Sequence, residues 1–174
     1  VLGAAAAAHF SVYTQLAQLV HFIPTSLFAF SYPMFSRLRS SQGPGSVAVA
    51  GLYRSSFRAC VLIGGALLLA LLLCRGPLVH LLGGHTFQPN DSVLFLLGLS
   101  YFTLTFNIVP YYFLLGIGES RTVSLLNSVS MAAAVLCMTV LIPAYGENGA
   151  ALARFAYGFG ALTLIYQSRK AMHR

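Results

Sequence analysis

Side chains that could carry out chemistry are few in this sequence. The acids Asp91, Glu119 and Glu147 are the only ones present, and each lies at the end of an apolar stretch. No two of them stand at a local spacing that would make an acid–base couple. We therefore expect no catalytic residue in the chain and no enzyme activity.

Signatures of metal and cofactor sites are also missing from the sequence. The cysteines are Cys60, Cys74 and Cys137. They lie in apolar stretches without CxxC spacing, so we interpret them as small hydrophobic residues. His80 and His85 are five residues apart, a poor spacing for two ligands on one helix. Gly116 and Gly118 form only a GxG, which is typical of a helix end. We expect neither a metal site nor a cofactor.

Polar side chains inside the first apolar stretch are more informative. Gln15 and Gln18 are three residues apart and share a helix face, which His21 continues. Pro24 should bend this helix, because proline removes one backbone hydrogen bond and clashes with the carbonyl four residues back. We predict that this polar stripe lines a transport path. Hydrogen bonding between neighbouring helices is the alternative.

Later apolar stretches contain three further polar positions. Asn107 precedes Pro110, a second predicted kink, and either satisfies the backbone there or contacts a substrate. We interpret Asn127 and its neighbouring serines as helix packing. Arg154 either extends to the membrane interface or holds an anionic group inside the bundle. The substrate-path candidates are Gln15, Gln18, His21, Asn107 and Arg154.

These residues belong to a chain that is too apolar for a soluble domain. Hydrophobic residues make up 57% of the 174 residues and charged residues only 7%, whereas soluble domains carry about 25% charged residues. A membrane helix needs about 20 apolar residues, and the uncharged intervals predict five spans. The spans are 8–34, 59–82, 92–116, 122–142 and 148–167. We predict an all-α, polytopic membrane helix bundle that forms one domain over residues 1–174.

Glycine, proline and serine clusters predict the connections between these spans. The first is a basic loop over residues 37–58, and shorter turns follow at 83–91, 116–121 and 143–149. The chain begins inside an apolar run, and an odd number of spans is unusual. We therefore expect a fragment of a longer transporter.

The basic residues predict an orientation in the membrane. The formal net charge is +7, but the cations stand between apolar runs, so we expect no nucleic-acid partner. The first and third loops and the C-terminus share one side in a five-span topology. Their basic residues are Arg37, Arg39, Arg54, Arg58, Arg121, Arg169, Lys170 and Arg174. Because the opposite side carries only Arg75, the positive-inside rule predicts a cytoplasmic C-terminus.

Four sequence patterns in a fixed order resemble one family. They are SVYTQLAQLVHFIP at 11–24, YPMFSRL at 32–38, LGIGESR at 115–121 and LIPAYGENGAALA at 141–153. Together they resemble the C-terminal part of a polysaccharide transporter of the O-antigen flippase type. That family belongs to the multidrug/oligosaccharidyl-lipid/polysaccharide exporter superfamily.

The resemblance implies two six-helix lobes around a central cavity that opens alternately to each side. This chain would supply the last five helices of the second lobe, with the N-terminal lobe as its partner. The implied cargo is an undecaprenyl-pyrophosphate-linked oligosaccharide, moved across the inner membrane. Arg154 departs from the family, since the resemblance implies a small or polar residue there.

Three other functions remain open at this point. A lipid II flippase has a similar architecture and a different cargo. A multidrug or cation antiporter of the same superfamily usually contains an acid within the membrane, and no acid lies inside a predicted span here. A non-transporting membrane assembly protein would direct its polar side chains toward other helices and leave no cavity.

Overall fold

The fold is entirely helical in the residues that the structure describes. A computed structural model covers residues 4–43, 46–83 and 90–172, and no strand occurs among them. The helices are α1 (Ala4–Phe28), α2 (Ser31–Gln42), α3 (Val47–Leu73), α4 (Arg75–Gly83), α5 (Asp91–Gly116) and α6 (Ser120–Met172). The predicted all-α bundle is confirmed.

Three of the described helices, α3, α5 and α6, are long and apolar enough to cross a membrane. The 25 residues of α1 would also be long enough. However, Gln15, Gln18 and His21 lower its hydropathy, and it is not among the three. The membrane character of the chain follows from the three apolar helices, and the count of five spans stays a prediction.

The 53 residues of α6 form two arms that fold back on each other. The backbone of Gly146, at φ 57° and ψ −128°, interrupts the helix in a region that favours glycine. A β-carbon on Gly149 would collide with the carbonyl of Leu141, and one on Gly160 would collide with the Ser130 hydroxyl. In each of these two contacts, the two residues lie equally far from residue 145 along the chain, on opposite sides of it. The first arm (120–145) and the second arm (147–172) are therefore antiparallel. These arms contain the predicted spans 122–142 and 148–167, and the predicted turn at 143–149 includes the break at Gly146.

Helix α5 is the centre of the bundle. It packs against α1, α2, α3 and α6. In its most apolar stretch of 18 residues, 56% of the residues are buried, compared with 22% in the corresponding stretch of α3 and 11% in that of α6. Because α3 and α6 expose most of their apolar side chains, their outer surfaces suit contact with lipid.

The helix boundaries differ from the first two predicted spans, whose extent in the membrane stays a prediction. The interval 8–34 is divided between α1 and α2, and 59–82 is divided between α3 and α4. Both breaks occur four residues before a proline, because Pro33 and Pro77 have no N–H to donate to the carbonyls of Ala29 and Leu73. Pro24 and Pro110 lie inside continuous helices, and kinks at these two positions stay predictions.

The basic stretch 37–58 was expected to be a loop because of its serines and glycines, and this prediction is wrong. It is helical over 37–42 and 47–58. Gly43 ends α2 with φ 84°, and the Ser46 hydroxyl begins α3 by accepting the N–H of Val49 at 3.3 Å. Most of the predicted turn at 83–91, including His85, lies outside the described residues.

The predicted turn at 116–121 is confirmed as a tight connection between α5 and α6. Gly118, at φ 84°, donates its N–H to the Leu115 carbonyl at 3.0 Å, and Glu119 donates to the carbonyl one residue further back. These two bonds form a Schellman motif. The Arg39 guanidinium donates to the Ile117 carbonyl and so joins α2 to the same turn.

Contacts between helices also show which residues lie at each end of the bundle. The Tyr53 hydroxyl of α3 is 2.8 Å from the Ser168 hydroxyl of α6, and Lys170 lies in the same crevice as Glu119. The basic residues of α2, α3 and α6 therefore gather at one end, with the exception of Arg154. At the opposite end, Arg75 forms an ion pair with Asp91 at 3.1 Å.

We predict that Gly116→Ala destabilises the bundle. A β-carbon there would lie 2.8 Å from the Phe35 Cβ and 3.2 Å from the Tyr32 carbonyl, so α2 must move away from α5. We expect the free energy of unfolding to fall by about 1–3 kcal/mol. Gly51→Ala is the control, because nothing lies within 4 Å of its β-carbon, and it should stabilise α3 by about 0.5–1 kcal/mol. Thermal unfolding of both variants in detergent measures the difference, and equal stabilities would contradict this packing.

Candidate functional site

A cavity of 270 Å³ lies between α1 and the two arms of α6, with α5 as its floor. We call it the α1–α6 groove. Its polar lining residues are His21, Thr25, Asn107, Tyr111, Tyr112, Asn127 and Tyr157. Because pockets for drug-sized ligands measure about 300–1,000 Å³, the groove suits a phosphate or one sugar ring rather than a whole oligosaccharide.

The α1 wall of the groove consists of His21 and Thr25. The Thr25 hydroxyl donates to the His21 carbonyl at 2.7 Å and lies 3.4 Å from the imidazole Nδ1. The two side chains are one helical turn apart and share a face. This local contact holds the imidazole beside the groove, where the sequence placed a substrate-path candidate.

Gln15 and Gln18 lie outside the cavity, on the exposed surface of α1. Gln18 precedes His21 by three residues, so the polar stripe continues from the groove along the outer face of the helix. The opposite face of α1 is buried through residues such as Leu16 and Val20. Leu19 and Phe22 are exposed beside them, at 48% and 57%. The outer face is therefore mixed, and its amides need water or a polar partner because they are unfavourable against hydrocarbon.

The floor of the groove contains an unsatisfied polar group. Asn107 Oδ1 is buried and has no hydrogen-bond partner. Leaving such an acceptor unpaired costs about 1–3 kcal/mol. Asn107 lines the groove, and both of its interpretations, substrate contact and repair of the backbone near Pro110, stay predictions.

Arg154 lies next to the groove but does not line it. Its guanidinium carbon is 4.5 Å from the centre of the Tyr101 ring on α5, a cation–π contact. Tyr157, three residues later on the same helix face, lines the groove. The half-buried guanidinium therefore faces the bundle, where its N–H groups can donate to an anion.

Asn127 is a groove residue that sequence reasoning assigned to helix packing. It comes from the first arm of α6, opposite His21 of α1. The neighbouring serines of that prediction, Ser124 and Ser128, are exposed. A different serine, Ser130, packs against Gly160 of the second arm. The available signal in the sequence was an amide inside a predicted span. The direction in which this side chain points depends on how the two arms of α6 pack.

The groove presents hydrogen-bonding side chains and aromatic rings to its interior. Within the described ranges, no three His, Cys, Asp or Glu side chains gather closely enough to hold a metal ion. Glu119 accepts from Thr122 at 2.9 Å, and Asp91 pairs with Arg75, both at helix ends away from the groove. The groove offers amides, hydroxyls, aromatic faces and one nearby cation.

Comparison of the chain with family models, curated proteins and solved structures gives no match. The resemblance to polysaccharide transporters therefore rests on the four sequence patterns alone.

We predict that the α1–α6 groove is open to water in the membrane. In a background with Cys60, Cys74 and Cys137 replaced by Ala, His21→Cys and Asn127→Cys should react with a charged thiol reagent. The control is Leu125→Cys, which lies on the apolar outer face and is more exposed in the structure, at 64%, than the two half-buried groove positions. It should stay unlabelled in lipid and react in denaturant. Equal labelling of all three positions in lipid would contradict a water-filled groove.

Proposed function

We propose that this chain forms part of a membrane flippase. The flippase moves an undecaprenyl-pyrophosphate-linked oligosaccharide, such as an O-antigen or exopolysaccharide repeat unit, across the inner membrane by alternating access. The C-terminus would be cytoplasmic. The observation that carries the proposal is the α1–α6 groove, which joins an exposed glutamine face on α1 within a bundle of membrane-type helices.

The polar surface is longer than the cavity itself. From Gln15 to Thr25 the stripe covers about 15 Å at 1.5 Å per residue. Its amides, imidazole and hydroxyl can exchange hydrogen bonds with sugar hydroxyls, and Tyr111 and Tyr157 present aromatic rings to the same space. A long polar surface with a small cavity suits an elongated glycan passing along it better than one compact ligand.

The charges support an anionic lipid cargo over a coupled cation. Arg154 is the cation nearest the groove, and a pyrophosphate would offer it acceptor oxygens. Lipid II carries the same linkage, so it remains the alternative cargo. A cation antiporter would need an acid in the membrane, and the acids Asp91, Glu119 and Glu147 all lie at helix ends or beside the break at Gly146.

A non-transporting assembly protein is the alternative of a different class. Its polar side chains would be satisfied by neighbouring helices. Gln15 and Gln18 instead project from the exposed face of α1, and Asn107 lines a cavity. These positions favour a transport path.

We predict that Gln15→Leu with Gln18→Leu reduces flipping without loss of folded protein. Both side chains are exposed, so the change leaves the packing of α1 intact while making the polar stripe apolar. In cells that depend on the whole protein, surface glycan should fall several-fold and its lipid-linked precursor should accumulate. The measurement is the amount of each at matched protein levels.

Gln42→Leu is the matched control, because Gln42 is exposed at the end of α2, on another helix. It should leave surface glycan unchanged. Normal export by the double variant at normal abundance would remove α1 from the path and favour the assembly protein.

A further inference from the structure

A second groove, of 440 Å³, lies between α3 and the second arm of α6 at the basic end of the bundle. We call it the α3–α6 groove. Three arginines line it, Arg54 and Arg58 from α3 and Arg169 from α6. Arg54 and Arg58 are four residues apart, so both lie on the same helix face. Two elements that are distant in sequence therefore direct three cations into one space.

Direct contacts fix the wall of the α3–α6 groove. Tyr53 is buried, and its hydroxyl is 2.8 Å from that of Ser168, which fixes the distance between the two helices. The rings of Tyr53 and Phe57 are stacked, with centroids 6.0 Å apart and planes inclined by 7°. Arg169 follows Ser168 directly, so the hydrogen bond also places this cation.

Among the residues that the structure describes, no carboxylate pairs with any of the three arginines. Asp91 pairs with Arg75 at the opposite end of the bundle. Glu119, the acid at the basic end, lines a separate crevice with Lys170 and is bonded to Thr122. The groove is thus a concave site with three uncompensated positive charges.

The apolar surface next to these charges favours a lipid over a soluble anion. Leu62, one turn beyond Arg58 on α3, is 72% exposed, and Leu162, one turn before Ile165 on α6, is 61% exposed. An acyl or prenyl chain can lie along them while its headgroup remains at the arginines. Basic pockets between membrane helices bind anionic headgroups in this way, and guanidinium groups match phosphate oxygens two at a time.

We propose that the α3–α6 groove binds the phosphate headgroup of an anionic lipid at the basic end of the bundle. This site is separate from the α1–α6 groove, and it does not depend on the proposed flippase activity. Two lipid sources share the required chemistry, a membrane phospholipid such as phosphatidylglycerol and a polyprenyl pyrophosphate.

The test compares two variants with equal loss of charge. Arg54→Gln with Arg169→Gln removes two groove cations, whereas Arg37→Gln with Arg121→Gln removes two exposed cations that do not line the groove. Each protein is titrated in detergent with phosphatidylglycerol, phosphatidylcholine, a polyprenyl pyrophosphate and inorganic phosphate. Native mass spectrometry counts the bound molecules, and circular dichroism with thermal unfolding verifies the fold.

We expect the groove variant to bind at least one anionic lipid about tenfold more weakly, and the control variant to change less than about threefold. Selective loss of phosphatidylglycerol would assign the groove to membrane lipid. Selective loss of the pyrophosphate would assign it to a carried lipid, and either result supports the site. Equal losses in both variants, no loss in either, or equally tight binding of inorganic phosphate would overturn it.

If the double substitution unfolds the protein, Arg58→Gln alone provides the second test. Arg58 is exposed, and its loss leaves the Tyr53–Ser168 bond in place. A reduction confined to anionic lipids would support the site, and unchanged binding would overturn it.

Discussion

The close packing of α5 against its neighbours determines the position of every wall of the α1–α6 groove. Gly64 of α3 and Gly158 of α6 have no side chain where Thr105 and Thr103 of α5 approach. Gly116 of α5 itself leaves room for Phe35 of α2. In lipid the hydrophobic effect gives little drive for helices to associate, so such close contacts and interhelical hydrogen bonds must hold the bundle together. The groove is the place where α1 and α6 diverge above this shared floor.

Two surfaces of the bundle then have different electrostatic requirements. The α1–α6 groove and the face of Gln15 and Gln18 are polar but carry little charge, which suits a hydrated glycan. The α3–α6 groove carries three arginines at one end, which suits a phosphate. Arg154 is the exception, a cation held on the Tyr101 ring inside the bundle, and it places one positive charge beside the neutral groove.

The sequence predicts the helical class and two of the turns because these depend on local chemistry. Gly118 and Gly146 adopt positive φ where turns were expected, and apolar runs mark the long helices. The stretch 37–58 was predicted incorrectly, because its serines, glycines and proline were taken as a lack of helix. Spacing alone places Gln18 and His21 on one face of the helix, but it does not predict which face is exposed. Asn127 reaches the groove only through the antiparallel packing of the α6 arms, which is a tertiary effect.

The central claim is that the polar face of α1 contacts the glycan of a lipid-linked oligosaccharide. Photo-crosslinking tests it directly, with a photoreactive amino acid at position 18 of the whole protein in membranes that contain the radiolabelled substrate. We expect a crosslinked glycolipid from position 18 and none from position 125 on the outer face of α6. Crosslinking that is absent at position 18, or equal at both positions, would contradict it.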